Sequence, residues 1–276
     1  MLRNSVPYNG RRSCMRCRWC VGFACELSAR TGTHNTVIPT ALASGNCELR
    51  TSVWSAKFCS TAPGRQPAWL TSTSTTRLQQ QTADLVIVCA GAVESARLLL
   101  NTRHRLFPTG LGNRYDWVGR NLQGHSYTGA SGLFESDTFD DIGPGASIAI
   151  CDYNSWQCGT GGRRHAGQRV HSSAIHYVTG LPPWVPRWGL AAKEFIRQYY
   201  KRTIVVFGPV QEMPVFDARV EVDPKVKDAW GIPVARLSGG RHPHTIEIGK
   251  FLANKAETWL KEAGASRTWT RHPVRG

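Results

Sequence analysis

Acidic residues are scarce in this 276-residue chain: 19 Asp and Glu stand against 34 Lys and Arg, a formal charge of +15. Such a balance bears on partners and solubility rather than on fold. Its first reading is a polyanion partner, either nucleic acid or an anionic membrane surface. The distribution weakens that reading. The basic residues are 26 Arg and 8 Lys, and they are scattered. The densest group is Arg3, Arg11, Arg12, Arg16, Arg18 and Arg30 against Glu26. A GC-rich coding sequence produces the same Arg excess, so nucleic-acid binding is not expected. Long apolar runs are missing too. No 18 consecutive residues are apolar, which excludes a membrane-spanning helix, and Met1 to Pro7 lacks the apolar stretch of a secretory signal. Neither G-x-S-x-G nor H-E-x-x-H occurs, so neither a nucleophile elbow nor a helix-borne zinc protease site is indicated. There are no internal repeats.

Hydrophobic residues make up 41% of the chain, a little low but normal for a globular protein. A chain of this length buries roughly 70–75% of its unfolded surface and needs no disulfide or metal to hold a core. Three regions follow from the patterning. Residues 1–42 form a Cys- and Arg-rich covering segment, residues 43–125 hold a strand–turn–helix unit, and residues 126–276 read as short strands with a final helix. Thr36 to Ala43 predicts a short helix and Glu48 to Phe58 a strand. Ser60 to Thr82, with its Ser/Thr and Gln runs, shows neither a two-residue nor a 3.6-residue period and reads as loop. Ala83 to Ala92 is a continuous apolar run ending in small residues, which predicts a strand buried on both faces, as in parallel sheets. Glu94 to Leu100 then predicts a helix. Ligands of open α/β sheets bind at the carboxyl ends of such strands, where small residues permit close approach. Further on, Ser147 to Tyr153, Val170 to Val178 and Thr203 to Gly208 predict antiparallel strands. Arg219 to Asp223 and Ile232 to Leu237 predict a hairpin-like pair. Ile248, Phe251, Leu252, Ala256, Trp259, Leu260 and Ala263 share one face of a helix over 245–263, closed by Gly264.

Cys14, Cys17, Cys20 and Cys25 stand at C-x2-C-x2-C-x4-C spacing. Four thiols within twelve residues suit an iron–sulfur cluster or zinc. The spacing approaches that of bacterial ferredoxins, but the last gap is one residue longer and Glu26 follows in place of Pro. Structural disulfides or buried thiols remain the alternative. The other five cysteines, Cys47, Cys59, Cys89, Cys151 and Cys158, have no spacing logic and read as buried thiols. His242 and His244, split by Pro243, read as turn histidines, and His125 as a buried, hydrogen-bonded one.

Four phrases in order along the chain resemble one family, the glucose–methanol–choline (GMC) oxidoreductases, and within it the bacterial gluconate and sugar dehydrogenase large subunits. The first is Asn4-Ser5-Val6-Pro7-Tyr8-Asn9-Gly10-Arg11-Arg12, running on to Gly22-Phe23-Ala24-Cys25. The second is Val86 to Leu100. The third runs from Phe107 to Asn113 and from Val118 to His125. The fourth is Gln211-Glu212-Met213-Pro214, then Arg219-Val220, Asp223-Pro224 and Val226 to Ala235. The resemblance implies an α/β (mixed α+β) fold, with part of a doubly wound FAD-binding domain and a substrate domain built on an antiparallel sheet with helices. It implies hydride transfer from an alcohol, sugar or polyol to FAD, and a cytochrome or small subunit as a partner. It places Val53 along the adenine end of the cofactor and Ala90, Gly91 and Ala92 at the turn packing near FAD.

Two parts of the family pattern do not match. No G-x-G-x-x-G, the pyrophosphate cradle, occurs, and the family's closing segment with its base histidine has no counterpart. The expectation is a central fragment, inactive alone, with no catalytic residue of its own, in which Ser266 to Gly276 looks foreign. Missing neighbours also predict exposed sheet faces and poor stability. The alternative is an iron–sulfur or metal-binding electron-transfer piece of a multi-subunit dehydrogenase. Neither substrate nor localisation is indicated.

Overall fold

The computed structural model describes residues 13–15, 25–58, 68–72, 78–138, 148–150, 165–169 and 180–271. Among these, helices mix with sheets whose ladders are all antiparallel. The chain divides into two compact units. One holds residues 1–47, 125–211 and 243–274, the other residues 48–124, 212–242 and 275–276.

The first unit is built on a five-stranded sheet. Its strands are β4 (His125–Leu133), β5 (Ile148–Ile150), β6 (His165–Arg169), β7 (Thr203–Gln211) and β10 (Arg267–Arg271), in the order β10-β4-β7-β6-β5. It also contains α1 (Val37–Ala43) and α3 (Leu190–Tyr199), and α4 (Pro243–Glu262) packs across β4 and β7. The face expected of α4 is the face it buries. Ile248, Leu252, Ala256 and Leu260 are buried and Phe251 and Trp259 partly so, while Ala263 is exposed and Ala253 takes a buried place. These side chains meet Ala130, Phe134, Val206 and Val210 of the sheet. The helix opens with Pro243 in its first position, where a missing N–H costs nothing. It closes in a Schellman turn: Gly264 has φ +90, its N–H reaches the Lys261 carbonyl at 2.9 Å, and the Ala265 N–H reaches that of Leu260 at 3.0 Å.

Arg267–Arg271 corrects an expectation. Far from being foreign to the fold, these residues pair along β4 from Leu133 to Gly129 and bury Trp269. Strand pairing runs through the backbone, so an unfamiliar sequence forms an edge strand provided one side chain reaches the core. Val170 to Val178, expected as a strand, lies outside the described residues.

The second unit contains a three-stranded sheet of β1 (Val53–Phe58), β2 (Ala68–Ser72) and β3 (Leu78–Gln81). Helix α2 (Gly91–Asn101) and the two-stranded pair β8 (Arg219–Lys227) and β9 (Pro233–Ser238) complete it. Within the stretch 60–82 expected as loop, β2 and β3 are strands, while residues 60–67 and 73–77 lie outside the described residues. Gln79, Gln80 and Gln81 are all exposed, so these three give no alternation for a two-residue period to mark. The apolar run 83–92 departs the other way. It forms no strand before α2 begins, and Leu85 and Ile87 are 76% and 75% exposed rather than buried. Among the described residues no strand lies beside it, and a parallel strand needs neighbours to exist.

Candidate functional site

In the second unit β1 and the start of α2 face each other across a cleft of about 310 Å³, lined by Val53, Trp54, Ser55 and Ala56 of β1, by Ala90, Glu94, Arg97, Leu98 and Asn101, and by Ile232. Two of the expected cofactor residues, Val53 and Ala90, thus line one cleft although 37 positions separate them in the chain. Gly91 follows Ala90 as the first residue of α2, and Ala92 is exposed and outside the lining.

The cleft's polar side chains are Ser55, Glu94, Arg97 and Asn101, and α2 begins at its edge beside Ala90. Ala90 is the helix N-cap and supplies no side-chain hydrogen bond, so no cap covers the first-turn N–H groups. Gly91 has φ +77, and a Cβ added there would meet nothing within 4 Å. Glycine is therefore required by backbone conformation, not by crowding. Small residues at an uncapped helix start leave its N–H donors open to a ligand's acceptors.

Arg97 sets how α2 sits within this unit. Its side chain is 7% exposed. Nε donates to the Pro233 carbonyl at 2.8 Å, and the terminal nitrogens reach Glu94 Oε2 at 3.2 Å, Asp228 Oδ2 at 2.6 Å and the Ile232 carbonyl at 3.3 Å. Asn101 Nδ2 adds a second bond to the Pro233 carbonyl at 3.1 Å. Asp228 is tied on its other oxygen, Oδ1, by the N–H groups of Trp230 and Ile232, both at 2.9 Å. Burial by itself would raise the Asp228 pKa. The Arg97 hydrogen bond, the two backbone N–H groups and the Arg97 charge outweigh it and hold the carboxyl below its ordinary value. Trp230, on the turn that Asp228 organises, stacks on Trp54 with ring centroids 5.1 Å apart and planes 16° from parallel, and the Arg97 guanidinium lies 5.9 Å from the Trp54 ring centre. The Asp228 loop thereby fixes the Trp54 wall of the cleft.

Sequence reasoning did not assign Arg97, Asp228, Trp54 or Trp230 to the site. Arg97 and Asp228 lie 131 residues apart, and their link is a tertiary ion pair. The one available signal was that Arg97 interrupts the apolar side of a helix that otherwise buries Ala96.

Of the candidate metal residues, Cys17 and Cys20 lie outside the described residues. Cys14 and Cys25 are half-buried. Burial would raise the Cys25 thiol, but hydrogen bonds from the backbone of Arg30, Leu27 and Ala29, with the Arg30 charge, hold it below its usual value. Among the described residues no group of three or more His, Cys, Asp or Glu is placed to hold a metal. Of the remaining thiols, Cys47 and Cys89 are exposed rather than buried. His125 is exposed too, at the start of β4, edge-on to Tyr127 at 6.2 Å. That pair follows from the two-residue period, which puts both rings on one face of the strand. His244 lies in the first turn of α4, 3.7 Å from Glu247, not in a turn between elements.

The cleft suits part of a flavin dinucleotide. Val53, Ala56, Ala90, Leu98 and Ile232 give an aliphatic lining, Trp54 gives an aromatic one, and Ser55, Glu94, Arg97 and Asn101 give a polar one. Its volume takes one ring system rather than the whole cofactor.

Residues 3–127 match the sequence profile of the GMC oxidoreductase family. The chain is 25% identical over 248 residues to 2-methyl-1,2-propanediol dehydrogenase of Mycolicibacterium austroafricanum, covering 88% of this chain and 44% of that protein. It is 24% identical over 257 residues to the gluconate 2-dehydrogenase flavoprotein of Pantoea cypripedii, covering 88% and 41%. With 6'''-hydroxyparomomycin C oxidase of Streptomyces lividus the identity is 27% over 273 residues, covering 95% and 46%. The chain spans less than half the length of each of these relatives.

Proposed function

We propose that this chain, whose residues 3–127 match the GMC oxidoreductase family, forms part of an FAD-dependent oxidoreductase that acts on the CH–OH groups of alcohols or sugars. The relatives are named for a propanediol, gluconate and a hydroxyparomomycin, which supports a hydroxylated substrate. One observation carries the cofactor half of the proposal: Val53 and Ala90 line a single cleft at the uncapped start of α2.

When bound, the flavin accepts the hydride that leaves the carbinol carbon. This chain's own residues bind and orient. Val53 and Ala90 pack against a flat ring without projecting polar groups into it. The first-turn N–H groups of α2 donate to its oxygens. Arg97, held by Asp228 and Glu94, ties the helix to the Asp228 loop, whose Trp230 stacks on Trp54 of β1. No residue of the chain is assigned as the base that takes the hydroxyl proton, and the chain is proposed to act as a portion of the enzyme, inactive alone.

The test is a titration of the purified chain with FAD, followed by calorimetry and flavin fluorescence. Saturable one-to-one binding is expected. Ala90→Phe overfills the cleft at about 1–3 kcal/mol, so affinity falls roughly tenfold while circular dichroism is unchanged. Equal affinity for both forms, or no binding by a folded chain, contradicts the proposal.

A second reading rests on the spacing of Cys14, Cys17, Cys20 and Cys25, which suits an iron–sulfur or metal-binding electron-transfer role in a multi-subunit dehydrogenase. A broad visible shoulder in anaerobically purified protein, lost on Cys→Ser substitution, supports it. A colourless protein free of iron and zinc removes it.

A further inference from the structure

We propose that residues 181–202 of the first unit form an interfacial anchor that lies on an anionic phospholipid surface. Leu181 and Pro182 are buried and fix the start of the segment. The Val185 N–H closes a turn on the Pro182 carbonyl at 3.0 Å. Trp184 packs edge-on against the Trp269 ring at 5.6 Å, with the Arg267 guanidinium 3.7 Å from its ring centre. The chain therefore leaves the sheet on a well-held base. What it carries outward is apolar: Trp188 is 88% exposed and Leu190 is 71% exposed, on either side of Gly189. A tryptophan held almost wholly in water is costly for a free surface, and it is the residue type that settles at a bilayer's headgroup level.

Helix α3 continues from this tip. Leu190, Lys193 and Arg197 follow at spacings of three and four residues, which stack on one helical face together with Glu194, and exposed Lys201 follows just past the end of the helix. The inner side is differently made: Ala192 is buried, and Phe195, Ile196 and Tyr199 line a crevice with Trp269. The cations thus run along the side of α3 that the unit does not use. Among the described residues Lys193, Arg197 and Lys201 make no salt bridge, whereas neighbouring Arg202 pairs with Asp137. Residues 181–202 hold five cations (Arg187, Lys193, Arg197, Lys201, Arg202) against one acid, Glu194.

An apolar tip of Trp188 and Leu190 at the head of a basic stripe matches the layering of an anionic membrane, with hydrocarbon boundary beneath phosphate. An apolar tip beside cations is what an anionic lipid surface answers; an acidic protein partner would leave the chain unbound to vesicles. No described helix is long and apolar enough to cross a membrane, and the anchor lies on the surface.

The experiment is co-sedimentation of the full chain with phosphatidylcholine vesicles, with and without phosphatidylglycerol, across a salt series. The chain is expected to sediment with the anionic vesicles, to be released by salt, and to show a blue-shifted tryptophan emission on binding. Trp188→Ala should weaken binding about tenfold or more and remove the blue shift. Lys193→Gln and Arg197→Gln should each weaken it about fivefold, and Leu190→Gln tests the tip independently. All four side chains are exposed, and unchanged circular dichroism verifies the fold. Equal binding to neutral vesicles, no binding to either, or undiminished binding by both Trp188→Ala and Leu190→Gln overturns the proposal. Lipid-free self-association abolished by Trp188→Ala overturns it as well, since a second copy then covers the patch.

Discussion

Arg97 is a charge where a helix of this unit would otherwise bury an aliphatic side chain, and its value depends on its partners. Removing one member of a buried ion pair leaves the other charge unsatisfied. Asp228→Ala is therefore expected to destabilise the protein by about 3–5 kcal/mol, measured by urea unfolding, and to loosen the Trp54 wall. Replacing both partners with apolar residues should recover much of that loss; recovery of none would show that the bonds to the Pro233 and Ile232 carbonyls dominate instead. The pair also sets an acid limit. The Asp228 pKa is lowered in the folded state, so its stabilisation is fully present above the unfolded value of about 3.9. It is lost as pH falls through the lower folded value. Asp228→Asn should flatten stability against pH in that range. Gly91 makes a smaller, purely conformational claim: Gly91→Ala meets no neighbour but must hold φ +77, and should cost about 1 kcal/mol. Val53 and Ala90 were expected as cofactor residues through the family resemblance, and both line one cleft. Arg97 and Asp228 stood in quoted phrases too, but nothing local in the sequence shows a bond across 131 residues.

At the scale of elements, α4 was legible because amphipathic period and cap agree: its buried stripe and Gly264 are both local signals. The β8–β9 pair was legible from alternation, and β7 from its apolar residues. Others were not, and three departures each have their own reason. β3 exposes Gln79, Gln80 and Gln81 alike. β10 depends on Trp269 finding the core opposite β4. The run 83–92 carries a strong strand signal but lacks strand neighbours among the described residues. That last case gives a direct prediction. Exposed apolar backbone without a ladder invites intermolecular pairing, so Leu85→Lys with Ile87→Lys should raise solubility without lowering the melting temperature. A clear drop in melting temperature would mean those side chains are covered in solution. For β10, Trp269→Ala should cost about 3–5 kcal/mol, and no loss would place the strand outside the folding unit.

At the scale of the whole molecule, the mixed α/β class follows from the sequence, and the organisation into two units interleaved along the chain follows from contacts that composition does not encode. The +15 charge, scattered when read along the chain, gains local meaning at α3, where Lys193 and Arg197 are exposed on the helix and Lys201 just past its end. The central claim is that the cleft between β1 and α2 receives the flavin. Amide hydrogen exchange of the purified chain, with and without FAD, tests it at the residues themselves. The account predicts slowed exchange confined to Val53–Ala56 and to Gly91–Glu94 at the start of α2. FAD that leaves both segments unprotected while slowing exchange elsewhere would contradict it.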